Sequence, residues 1–175
     1  MHKMYRYTSI GRPLDPKYPT NKAVLLLLPL AALVGAGAAF AADGSLSEVL
    51  RAAISFVLIC FGAWALAREL DPDDHMIAFA SMALSVVAAL LVDHAGVLVI
   101  YATLGLVRLV NRSTGLPARK SDSIVVLLLV FAVIYLAESP FYGTVAAIAF
   151  ILDGSLKDPL RHQWMFGLVC LGGTV

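Results

Sequence analysis

The chain is a series of long apolar stretches separated by short polar segments. Residues 23–42 and 46–66 are each about 20 residues long, the length that an α-helix needs to cross roughly 30 Å of hydrocarbon. Backbone polar groups in lipid must be satisfied inside a helix or a closed barrel. The pattern therefore predicts two transmembrane helices at the start of the chain.

The later apolar stretches need internal turns to fit the same thickness. Residues 76–110 would be about 52 Å long as one helix, so we predict a turn at 93–96. Glu138-Ser139-Pro140 divides a second stretch, 124–152, and the final segment is too short to decide whether it crosses fully. We predict an all-α polytopic transmembrane bundle of six to seven helices, some short or broken, at about 23–42, 46–69, 72–92, 96–112, 123–137, 140–152 and 159–175.

Among the connections between these helices, lysine and arginine occur in alternate ones, and three further arginines, Arg51, Arg68 and Arg108, lie near helix ends. They are frequent in residues 1–22, between the fourth and fifth helices, and after the sixth, whereas the turns at 43–50, 93–96 and 138–140 have none. Cytoplasmic loops retain positive charge. We therefore expect a cytoplasmic basic segment, 1–22, and a single transmembrane domain, 23–175, in the cell (inner) membrane.

A cleaved signal peptide is an alternative interpretation of the first helix. Ala39-Phe40-Ala41 resembles an A-x-A cleavage site that follows a basic start. The basic segment is long for a signal peptide and the apolar stretch exceeds the usual core. The sequence leaves open whether residues 1–41 are ever removed.

Composition narrows the class of protein. Hydrophobic residues make up 60% of the 175 residues and charged ones 14%, with a mean hydropathy of +0.85. These values exclude an ordinary soluble domain, and the net charge of +1 argues against a nucleic-acid partner. Cys60 and Cys170 lie far apart in apolar stretches, so no disulfide framework or zinc motif is predicted. The expected partners are membrane lipids and other membrane helices, in a homo-oligomer or a complex, and no cofactor is predicted.

Three ionisable residues lie where helix capping does not explain them. Asp93 and Glu138 fall at the C-terminal ends of predicted helices, where the helix dipole disfavours a carboxylate, and His94 adjoins the first. Ionisable groups at membrane depth and interrupted helices are typical of transporters. We interpret Asp93, His94 and Glu138 as candidates for an extracytoplasmic proton, cation or substrate site, with wetted turn residues as the alternative.

An acidic segment after the second helix has two interpretations. In the first, Asp71 caps the third helix and the neighbouring acids favour its positive end. In the second, carboxylates and an imidazole hold Mg²⁺ against a lipid phosphate, with basic residues from a second cytoplasmic loop. The residues of this alternative site are Glu69, Asp71, Asp73, Asp74, His75, Arg112, Arg119 and Lys120.

These observations lead to one leading function and one alternative. The leading hypothesis is a small integral membrane protein that is transport-associated or a helix-packing subunit of a membrane complex. The alternative is a membrane-embedded enzyme that acts on a lipid-linked phosphate or diphosphate at the cytoplasmic face, with Mg²⁺ as its cofactor. No common catalytic motif is present to favour the enzyme.

Overall fold

The computed structural model describes residues 7–92, 96–112, 115–158 and 160–173, and this part of the chain is helical with no β-strand. The all-α prediction is therefore confirmed for these residues. Their seven helices are α1 (Pro19–Ala41), α2 (Leu46–Leu70), α3 (His75–Leu91), α4 (Gly96–Asn111), α5 (Lys120–Leu136), α6 (Phe141–Gly154) and α7 (Arg161–Gly172).

The helices differ in whether they can cross a bilayer. Among the described residues, α1 and α2 are the two that are long and apolar enough. Their 23 and 25 residues correspond to about 35 and 38 Å. The apolar helices α3, α4 and α6 have 17, 16 and 14 residues, which is short for about 30 Å of hydrocarbon. Length and composition thus support two spans, fewer than the predicted six or seven.

The described chain divides into two compact units. The N-terminal unit comprises residues 14–100, and the C-terminal unit comprises residues 101–173 together with 7–13. The border lies within α4. Each unit has its own packing.

In the N-terminal unit, α1 and α2 pack closely through a small residue. Gly35 is buried in α1, and a Cβ at this position would lie 2.7 Å from both the Ala52 carbonyl oxygen and the Phe56 ring. At the start of α2, the Glu48 carboxylate accepts hydrogen bonds from the Ser45 amide and hydroxyl, both at 2.7 Å. This is the Glu48 half of a capping box, which the sequence Ser45-Leu46-Ser47-Glu48 favours. The local sequence therefore determines where α2 begins.

The cap of α3 differs from the sequence prediction. Asp74, not Asp71, is the N-cap residue, and its Oδ1 accepts from the amides of Met76 and Ile77 at 2.8 and 3.1 Å. Asp71 instead ends α2, and its Oδ1 accepts from the Asp73 and Asp74 amides, both at 3.2 Å. The chain needs these residues for the turn between the helices, so α3 begins at His75, three residues later than expected.

The C-terminal unit has an apolar core between α4, α5, α6 and α7. Gly105 of α4 lies against α5, because a Cβ there would be 2.8 Å from a Val126 methyl group. Phe150 of α6 is fully buried and meets the Phe166 ring of α7 edge-on. The other buried core residues are Leu106, Leu109, Ala118, Val130, Ile134, Ala146, Ala147 and Cys170.

Candidate functional site

A buried ion pair joins the end of α4 to the end of α6. Asp153 lies in the last turn of α6 with its side chain fully buried, and its Oδ1 accepts from Arg112 Nε at 2.8 Å. Arg112 Nη2 also donates to the carbonyl oxygens of Asp153 and Asp158, at 3.0 and 3.2 Å. One guanidinium therefore fixes the carboxylate of α6 and the turn that follows it.

The backbone of Arg112 is unusual. Its φ is 42°, in the left-handed region that a non-glycine residue rarely adopts. Such a conformation costs of order 1–3 kcal/mol and persists where surrounding contacts impose it. The contacts of the Arg112 guanidinium with Asp153 provide this constraint.

Gln163 extends the network from α6 to α7 and α5. Its side chain is fully buried, and Nε2 donates to Asp153 Oδ2 at 2.7 Å and to Ser123 Oγ at 2.9 Å. The Ser123 hydroxyl in turn donates to the Arg119 carbonyl oxygen at 3.2 Å. Gln163 Oε1 is buried and has no hydrogen-bond partner within the described part of the chain. The first turns of α5 and α7 are thus bound to the last turn of α6.

A second carboxylate anchors the N-terminal segment to the same unit. Asp122 Oδ2, in the first turn of α5, accepts from both the amide and the hydroxyl of Ser9 at 2.6 Å. The Ser9 hydroxyl oxygen also accepts a hydrogen bond from the Arg119 amide at 3.0 Å. Arg108 Nη1 donates to the Ile10 carbonyl oxygen at 3.2 Å. Ser9 and Asp122 are both buried. We call residues 7–13, held in this way, the N-terminal strap.

His162 lies beside this network at the start of α7, a helix of 12 residues or about 18 Å, which is short for about 30 Å of hydrocarbon. Burial and the positive charge of Lys120 lower the pKa of His162, and the charge of Asp153 opposes them. The imidazole is therefore mostly neutral at pH 7. The charges of Lys120 on α5 and Asp153 on α6 therefore both act on the first turn of α7.

The predicted extracytoplasmic cluster is described only in part. Asp93 and His94 lie outside the described residues. Glu138 follows the end of α5, is exposed, and has a φ of 49°. A left-handed residue at this position commonly ends a helix, although glycine usually occupies it. The proposed transport site at these three residues stays a prediction.

In the acidic segment of the alternative enzyme site, two of the carboxylates accept hydrogen bonds from backbone amides. The Asp71 and Asp74 carboxylates accept the amide hydrogen bonds given above, Arg68 contacts His75 Nδ1, and Glu69 is buried in α2. Asp73 is exposed. Within the described ranges, no three His, Cys, Asp or Glu side chains are grouped so that they could hold a metal ion.

The three basic residues of the alternative enzyme site differ in their surroundings. Arg112 is bound to Asp153, whereas Arg119 and Lys120 are exposed at the start of α5. One of the two predicted guanidinium ligands for phosphate is therefore already in an ion pair. Arg119 and Lys120 lie close to the buried network. Ser123, which follows them by one turn on α5, belongs to that network through its hydrogen bonds with Gln163 and with the Arg119 carbonyl oxygen.

Sequence reasoning missed the residues that form the network. Asp153 is a carboxylate at the C-terminal end of an apolar helix, which is the signal that drew attention to Glu138. Asp122 lies in a polar segment, Ser121-Asp122-Ser123, of a kind that commonly opens a helix, and nothing in the sequence links it to Ser9, 113 residues away. Gln163 carries no charge and no motif, so only the fold identifies it.

The network can bind five segments together at one end of the C-terminal unit, namely the ends of α4, α5, α6 and α7 and the N-terminal strap. Its carboxylates are paired or hydrogen-bonded, so its clearest chemical capacity is to hold helix ends in register rather than to react. No protein-family model, curated protein or solved structure matches this chain.

Proposed function

We propose that this chain is a polytopic integral membrane protein that acts as a helix-packing subunit of a membrane complex, with a cytoplasmic N-terminus. In this proposal α1 to α6 cross the membrane and α7 lies at the cytoplasmic interface. The shorter helices would require local thinning of the bilayer or tilted neighbours. Transport by the complex is the setting in which Asp93, His94 and Glu138 would act.

The outward side of α1 carries the proposal. Val24, Ala31 and Gly35 form its narrow buried face, and only 17% of its most apolar window is buried. The opposite face has a row of exposed large residues, Leu26, Leu30, Leu33 and Phe40, with exposed fractions of 55–73%. A patch of this kind is an aggregation site in water but a lipid or protein contact in a membrane.

The cavities of the N-terminal unit favour contact with apolar partners over a hydrophilic pathway for ions. One, of about 290 Å³, is lined by small and apolar residues of α1, α2 and α3, including Gly35, Ala52 and Leu91. Another, of about 230 Å³, lies between α1 and α3 and is lined by residues such as Leu30, Phe79 and Met82. Among the residues that the structure describes, no charged side chain lines either cavity. Apolar molecules or helices fit these surfaces better than ions do.

Site-specific photo-crosslinking in intact membranes tests the proposal. Leu33 is 68% exposed and Ala31 is 5% exposed, although they are two residues apart on α1. A photoreactive amino acid at position 33 is expected to give a discrete protein adduct, identified by mass spectrometry as one partner or a second copy. The same probe at position 31 is the matched control and is expected to give none. If the probe at position 33 gave lipid adducts and no protein adduct, the packing role would be contradicted.

A further inference from the structure

The described connections at one end of the C-terminal unit carry an excess of exposed positive charge. Within residues 115–121 and 155–161, the exposed charged side chains are four cations and a single carboxylate, Asp158. We call the cations Arg119, Lys120, Lys157 and Arg161 the basic rim.

The buried network brings the members of the basic rim to one place. Gln163 is hydrogen-bonded to both Ser123 and Asp153, which ties the first turns of α5 and α7 to the last turn of α6. Lys120 and Arg161 begin two of these helices, and Lys157 lies in the connection between α6 and α7. Asp153 does not offset their charge at the surface, because it is buried and paired with Arg112.

The outward face of α7 is charged at the start of the helix and apolar further along it. Gln163, Gly167 and Cys170 are buried on one side of the helix. Arg161, Met165 and Leu168 are exposed at the i, i+4 and i+7 positions of the other side, and Trp164 is 48% exposed beside them. Trp164 Nε1 donates to the Gly154 carbonyl oxygen at 3.3 Å, which fixes the indole against the end of α6.

We propose that the basic rim and the outward face of α7 together bind anionic phospholipid of the cytoplasmic leaflet. The cations would lie at the level of the phosphate groups, and Trp164, Met165 and Leu168 would contact the upper part of the acyl chains. A free phosphate ion would use only the charge, whereas a phospholipid uses both the charge and the adjoining apolar face. Basic segments near a membrane are attracted to anionic lipids, and aromatic rings favour the interface. This inference rests on the proposed membrane location.

Quenching of Trp164 by brominated lipids tests the inference on the full-length protein. The chain has two tryptophans, and Trp64 is 6% exposed. The protein is reconstituted in phosphatidylcholine vesicles that contain brominated phosphatidylglycerol or brominated phosphatidylcholine at equal mole fraction. Trp164→Phe protein supplies the emission of Trp64 for subtraction.

We expect phosphatidylglycerol to be enriched around Trp164 relative to phosphatidylcholine, by roughly fivefold for each cation that contacts the surface. The variant Lys120→Gln/Lys157→Gln/Arg161→Gln removes three of the four cations of the basic rim and is expected to lower the ratio to about fivefold, the contribution left by Arg119. High salt should lower it in the parent protein, because the screening length falls from about 10 Å to about 3 Å between 0.1 and 1 M. Lys17→Gln/Lys22→Gln, at the start of α1, is the matched control and should leave the ratio unchanged.

The possible failures are distinguishable. Equal quenching by the two brominated lipids would overturn the lipid inference while leaving the membrane location intact. A ratio that the triple substitution does not lower would assign the preference to other residues and overturn it as well. Failure of the protein to float with the vesicles, together with no quenching by either lipid, would overturn the proposed membrane location itself.

Discussion

Asp153→Ala is expected to destabilise the C-terminal unit by about 3–5 kcal/mol, because it leaves the Arg112 guanidinium without its carboxylate partner. The Asp153 side chain is fully buried and that of Arg112 is 13% exposed. Gln163 Nε2 would also lose its bond to Asp153, although its bond to Ser123 is kept. Loss of a charge-assisted hydrogen bond in such surroundings is costly because water cannot replace it.

Equilibrium unfolding in detergent micelles, followed by circular dichroism, measures this change. Asp158→Ala is the matched control, because its carboxylate is exposed in the neighbouring turn, and its effect should stay within about 0.5 kcal/mol. A double-mutant cycle with Arg112→Ala should give a coupling of up to about 3 kcal/mol. An Asp153→Ala effect equal to that of Asp158→Ala would refute the role of the ion pair.

Asp122→Ala is expected to release the N-terminal strap from the C-terminal unit. The substitution removes the acceptor of both the Ser9 amide and the Ser9 hydroxyl. Loss of the acceptor for a buried donor costs about 1–3 kcal/mol, so the free energy needed to open the strap falls. Hydrogen exchange of the Ser9 amide should accelerate by about tenfold or more, since 1.4 kcal/mol corresponds to a factor of ten.

Hydrogen–deuterium exchange of peptides that cover residues 7–13 detects this release. Ser121→Ala is the control, because Ser121 is exposed on the same turn of α5. Amides of the α6–α7 contact should keep their protection in both variants, which separates release of the strap from general unfolding. Unchanged exchange at Ser9 in Asp122→Ala would show that other contacts hold the strap.

Much of the helical pattern could be predicted because local rules determine it. The apolar stretches and the absence of strand signals predict an all-helical chain, and Glu48 at the start of α2 follows the capping rule. The cap of α3 was assigned to Asp71 because it directly precedes Pro72, which suits the first position of a helix. Two further acids, Asp73 and Asp74, lie within the next three residues. Which acid faces the helix amides depends on the path of the turn, and that path is set by the packing of α2 and α3.

The candidate site could be predicted far less well, because its residues meet only after the helices pack. Asp153 and Arg112 are 41 residues apart, and Asp122 and Ser9 are 113 apart. Sequence reasoning asked which ionisable residues capping leaves unexplained, and it selected Glu138, which is exposed. The same question applied to Asp153 would have found the buried pair, whereas Gln163 has no signal in the sequence alone.

The orientation of the helices in the membrane is the central claim, and two serines test it most directly. Ser47 and Ser121 are both exposed in the first turn of a helix, α2 and α5, and the native Cys60 and Cys170 are buried. Ser47→Cys and Ser121→Cys are expressed separately in cells and treated with a thiol reagent that does not cross the membrane. We predict that Ser47→Cys reacts in intact cells and that Ser121→Cys reacts only after the membrane is opened. Reaction of Ser121→Cys in intact cells, or labelling of both positions from one side, would contradict the proposed topology.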